Sequence, residues 1–191
     1  PPARYESVNV ELVHDIGIEV GVSTKGMQGG KLSSSSVPNT LAYKFTFSQE
    51  KAYPSEESRA DLPDFAPHFS ARTFKSYAEV GRAYQIRAKE KAKVTPAIQT
   101  LANDLIQKAN AKTTLEKVKV LHHWVAQNIR YLGIYVGAGG YVPHDAQSIL
   151  DNLYGDCKDH VTILEALLAA AGIDSTPALI NSSTAYLLPK L

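Results

Sequence analysis

The sequence predicts an α+β chain, with a strand-rich portion leading into a helical one. Apolar residues alternate with a period of two in the first part of the chain. From Ser76 onward they recur at helical spacing behind recognisable capping residues. A Pro-punctuated stretch separates the two patterns.

A chain of 191 residues fits one medium domain or a small domain joined to a second. The change of pattern places the division between residues 1–72 and 73–191. With 44% hydrophobic and 20% charged residues, the composition supports a packed core. A net charge of +1 supplies no basic face for nucleic acid. No apolar run reaches the roughly 18–20 residues of a membrane span. The opening "PPARYESVNV" has neither an initiator Met nor a signal-like stretch. The expectation is therefore a piece of something longer, exported to the periplasm or beyond, with the cytoplasm as the alternative. A lone thiol is compatible with either.

"SVNVELVHD" sets Val8, Val10 and Leu12 on one face of a strand, and "LAYKFTFSQ" does the same with Leu41, Tyr43, Phe45 and Phe47. "STKGMQGGKLSSSSVPN" between them reads as a Gly/Ser loop. "AYPSEESRADLPDFAPHFS" reads as an irregular connector. Ser76 and Glu79 form a capping box for a helix to about Lys93. Thr95 caps a second helix with Pro96 at its first position, and Ile98, Leu101, Leu105 and Ile106 recur along it. Thr113 and Glu116 box a third, whose inner face is Leu115, Val118, Leu121, Val125 and Ile129, with Trp124 in the core. "LGIYVGAGGYVP" reads as an extended segment and a tight loop, and its glycines do not fit a phosphate-binding loop. A short helix follows, capped by Asp145 and closed by Gly155. The next helix spans about 157–171 and stops at Gly172, and "STPALINSS" reads as a strand.

The single cysteine, in "YGDCKDHVTILEALLAAAGI", excludes an internal disulfide. Its bland reading is a small buried hydrophobe. Yet Cys157 stands in the first turn, where unpaired N–H groups and the helix dipole favour an anion such as a thiolate. Asp156 and Asp159 oppose this as charges while capping the helix; Lys158 assists. Below that turn Val161, Ile163, Leu164, Leu167 and Leu168 mark a central, buried helix, a rigid mount for a nucleophile.

"YGDCKDHVTILEALLAAAGIDSTPALI" resembles the nucleophile segment of the transglutaminase-like superfamily, and "HHWVAQNIRYLGIYVGAGGYVPHDAQSILDN" resembles the stretch before it in bacterial members. The likeness covers roughly residues 95–188. It implies a papain-like core, here lacking its C-terminal strands, preceded by a fragment of a strand-rich domain. It also implies thiol-dependent acyl transfer on an amide by a Cys, His and Asp triad, with a protein or peptide substrate and no cofactor. Hydrolysis is favoured over cross-linking, and an inactive binding module is the alternative. Cys157 is the one triad member the resemblance places; the His and Asp are expected beyond Leu191.

The other histidines are weaker bases. His160 shares a helical face with Cys157, but side chains on one helix rarely aim at a common atom. His122 and His123 stand on the preceding helix, one expected outward and the other packed or capping. His144 reads as a solvated loop residue, and His14 and His68 have no chemical partners in sequence. Asp156, Cys157, Asp159 and His160 are too crowded for the spread ligand pairs of a zinc site. The backbone N–H of Cys157 is the first expected oxyanion donor. The family's supporting side chain, often aromatic, matches Tyr131 or Tyr135.

Overall fold

The computed structural model describes residues 4–52, Asp64, 66–133 and 137–180. Their contacts form two compact units that meet in sequence between Glu79 and Val80, the second ending at Leu179.

In the first unit, β1 (Tyr5–Asp15) and β4 (Thr40–Gln49) pair antiparallel, and β3 (Gln28–Lys31) joins the far side of β4. The register aligns Val8 with Phe47, Val10 with Phe45, and Leu12 with Tyr43. Alternation in both strands thus builds one apolar face from matched cross-strand pairs. A second sheet pairs β2 (Gly21–Lys25) with β5 (His68–Arg72), and Phe45 meets Phe69 at 5.4 Å between ring centroids.

The Gly/Ser stretch is therefore not only a loop, since it contains the end of β2 and all of β3. Gly29 lies on β3 with φ of 123°, and a Cβ there would come 2.1 Å from the Lys44 carbonyl oxygen. The glycine that suggested a loop instead permits close strand pairing. The end of the expected connector is likewise β5; residues 53–63 lie outside the described residues.

The second unit is helical. Helix α1 (Tyr77–Ala88) runs into a 3₁₀ turn, Lys89–Ala92. Ser76 Oγ accepts from Glu79 N–H at 3.3 Å, while the Glu79 carboxylate accepts from Lys75 N–H, one residue upstream of the expected position. Thr95 caps α2 (Pro96–Lys108) by accepting from Ile98 N–H, and α3 (Thr114–Asn128) has both bonds of its capping box. Helices α4 (Ala146–Asn152) and α5 (Cys157–Ala170) follow.

Helix α5 is the centre of this unit, with α2, α3 and α4 all packed against it. Ile163, Ala166, Leu167 and Leu168 meet Ile98, Ala102, Leu121, Val125, Ile129 and Ile149 in one buried cluster, with Trp124 against it. Two expected core positions face solvent. Leu115 is 63% exposed because, six residues before Leu121, it lies about 120° round the helix from it. Val161 is exposed because it lies on the Cys157 side of α5.

Two boundaries also differ from expectation. Leu153, with φ of 54°, and not Gly155, ends α4. Of the expected strand over 175–183, residues 175–180 form none, Pro177 lacking the N–H that a ladder needs, and 181–183 lie outside the described residues. Among the described residues no helix is long and apolar enough to cross a membrane.

Candidate active site

A two-residue parallel ladder delivers the chain to Cys157. β6 (Arg130–Tyr131) pairs with β7 (Tyr154–Gly155), and Arg130 and Leu132 N–H donate to the Leu153 and Gly155 carbonyls at 2.9 Å. A Cβ on Gly155 would come within 2.4 Å of Asp159 Cβ, so glycine lets the strand pass tight against the first turn of α5.

That turn is capped by Asp156, which is 1% exposed. Its carboxylate accepts from the backbone N–H of Lys158 at 3.1 Å and from that of Asp159. Reciprocally, Asp159 Oδ2 accepts from Asp156 N–H at 3.1 Å. His160 N–H donates to the Asp156 carbonyl at 3.0 Å. Of the first four N–H groups of α5, only that of Cys157 has no acceptor among the described residues. The Cys157 side chain beside it is exposed to solvent. A solvent-exposed thiol and an N–H without an acceptor among the described residues therefore sit on the same residue.

The surrounding charges are internally matched. Lys158 Nζ pairs with Asp156 Oδ2, both side chains being largely buried, so its positive charge is shared with a carboxylate. Burial would push the Asp159 carboxyl up, but hydrogen bonds from His144 N–H, the His144 ring and Asp156 N–H, with attraction to the ring, outweigh it and hold the carboxyl below its ordinary range. The two aspartates that flank the thiol in sequence are thus engaged with N–H donors and a lysine.

His144 is more than a solvated loop residue. Its backbone N–H meets Asp159 Oδ1 at 2.8 Å and its Nδ1 meets Oδ2 at 3.0 Å, while much of the ring stays exposed. His160 has both ring nitrogens engaged, Nδ1 at 2.8 Å from the Asp156 carbonyl and Nε2 at 2.9 Å from the Ile129 carbonyl. In this arrangement it has no free nitrogen to take a proton from the thiol. His122 and His123 are both exposed. His14 stacks on Tyr43, and His68 Nδ1 meets the Ala66 carbonyl, both in the first unit.

Tyr131 pairs with Gly155 and lays its ring 5.9 Å from that of His160; Tyr135 lies outside the described residues. A different tyrosine also senses the site. Burial raises the Tyr84 phenol, and the charges of Glu165, Cys157, Asp159 and Asp156 add to the effect. Burial also raises the Glu165 carboxyl. The sequence signal for Tyr84 was only a helix without an assigned inner face.

Among the described residues no group of three or more His, Cys, Asp or Glu side chains is arranged to hold a metal ion. A groove of about 290 Å³ in the first unit is lined by Ser7, Gly26, Gln28, Thr46, Phe47 and Ser48, none of which carries an acid, a base or a thiol.

The sequence profile of the transglutaminase-like superfamily matches residues 99–179, which include the ladder, the cap and the cysteine helix. A crystal structure from Parabacteroides distasonis, described as a putative protease, shares the fold with a TM-score of 0.73 at 21% identity. The match covers 87% of this chain and 32% of that one, so the chain spans about a third of that protein's length. No curated protein matches the chain. The matched segment contains the complete first turn around Cys157.

Proposed function

We propose that the chain belongs to an enzyme of thiol-dependent acyl transfer on amide bonds, with hydrolysis of a peptide or isopeptide bond as its reaction. The observation that carries this reading is the exposed Cys157 thiol at the start of a buried helix, beside its own N–H, which has no acceptor among the described residues. Cys157 Sγ attacks the amide carbonyl carbon and a C–S bond forms. The carbonyl electron pair moves onto oxygen, where the Cys157 N–H stabilises it. Collapse breaks the C–N bond, and the amine leaves with the proton taken from the thiol. Water then attacks the thioester, releasing a carboxylate and restoring the thiol.

The proton carrier is a histidine oriented by an aspartate, as the resemblance implies, and in this reading both lie beyond Leu191. The relative's description as a putative protease supports hydrolysis over cross-linking. The test is to extend the chain beyond Leu191 and follow cleavage of a peptide library by mass spectrometry. Cleavage lost on Cys157→Ser supports the reading. An extended chain that cleaves no peptide or isopeptide, with or without that change, overturns it in favour of a binding module.

A further inference from the structure

His160 is engaged at three points. Its backbone N–H and its Nδ1 both reach the Asp156 carbonyl, at 3.0 and 2.8 Å, and its Nε2 reaches the Ile129 carbonyl at 2.9 Å. The Asp156 carbonyl belongs to the peptide group whose N–H is that of Cys157. In a trans peptide these two groups point in opposite directions. Fixing the carbonyl fixes the direction of the N–H. A carbonyl that accepts two hydrogen bonds also polarises its peptide and strengthens the N–H as a donor. The far end of the ring rests on Ile129, a buried residue at the end of α3, so the peptide is braced against the core.

We propose that His160 is a positioning residue for Cys157, aiming and polarising the Cys157 N–H toward the oxyanion. This rests on the acyl-transfer reading above. Both ring partners are carbonyl oxygens, which only accept. A neutral imidazole has one N–H and can serve one of them, whereas the doubly protonated ring serves both. The brace is complete when the ring is charged and loses one bond when it is neutral. The titratable groups about the ring are Tyr131, packed on it from β6, and those of its own helix turn. These are the Asp156–Lys158 pair, Cys157, and Asp159 with its partner His144.

The experiment uses the 191-residue chain carrying Cys157→Ser, so that no thiol titrates beside the amide being read. Nuclear magnetic resonance follows the backbone amide of position 157 and the His160 ring nitrogens across a pH titration of the folded chain. The expected result is that the amide of position 157 shifts with the same midpoint as the His160 ring, and by more than any other amide from 155 to 162 except that of His160 itself. Adding His160→Gln should abolish this shift. An amide that stays still while the ring titrates overturns the proposal, as does a ring that shows only one slowly exchanging N–H at the acid end. The titration of the Cys157→Ser chain decides the matter even if the double variant fails to fold. No substrate enters the measurement, so an uncoupled amide removes the role of His160 and leaves Cys157 as nucleophile untouched. A chain without peptidase activity leaves the coupling measurable.

Discussion

Asp159→Asn removes a charge on which three N–H groups converge. The carboxylate is 1% exposed and accepts from His144 N–H, the His144 ring and Asp156 N–H. The amide keeps one oxygen, which can still serve His144 N–H. Its NH₂ then faces Asp156 N–H, donor against donor, in a site that excludes water. An unsatisfied buried donor costs about 1–3 kcal/mol. The His144 ring is exposed enough for water to replace most of what it loses. The expected loss is about 2–3 kcal/mol at neutral pH, read as a lower urea midpoint with an unchanged slope. The pH dependence follows from the direction of the shift. The folded-state carboxyl lies below its unfolded value of 3.8, so in the window between the two the unfolded chain binds more protons. Stability from this group is fully present above the unfolded value and disappears as pH falls through the folded one. The gap between wild type and variant should therefore narrow in acid. A loss under about 1 kcal/mol at neutral pH, or a gap unchanged by acid, would refute the reasoning.

Three other outcomes are expected. Glu165→Gln should stabilise the chain at neutral pH by less than about 1 kcal/mol, since the partly exposed carboxylate keeps some hydration. Burial raises the folded-state value of Glu165, so its penalty appears as pH rises through that value; a thermal melt showing the same gain at pH 3 would contradict this. In a spectrophotometric titration Tyr84→Phe should remove a late-ionising tyrosine, and Cys157→Ser should make that tyrosine ionise earlier; an unmoved Tyr84 would separate it from the site. Gly29→Ala should cost about 3 kcal/mol or more, because it combines a left-handed φ with a 2.1 Å clash against backbone; a melt within about 1 kcal/mol of wild type would refute the register of β3.

What the sequence revealed follows from how local each signal is. Val8, Val10 and Leu12 announce β1 because alternation is written in consecutive residues. Thr113 and Glu116 announce α3 because a capping box closes within one turn. The start of α5 at Cys157 was legible for the same reason, as a polar first turn followed by an oily helix. β3 was hidden because Gly29 has no side chain to alternate, and its reason for being glycine lies across the sheet at Lys44. His144 was misread because its partner Asp159 lies fifteen residues away, across α4. Tyr84 is more distant still in sequence from Cys157, and only the packed unit lets their charges meet. The brace from His160 to Ile129 likewise spans 31 residues.

The central claim is that the Cys157 thiol is open to an electrophile at the head of α5. Its most direct test is alkylation of the folded chain by iodoacetamide, followed by mass spectrometry, with the same chain in urea as reference. Cys157 is expected to be alkylated in the folded chain without a lag and to completion. A thiol that stays protected until urea unfolds the chain would contradict the account.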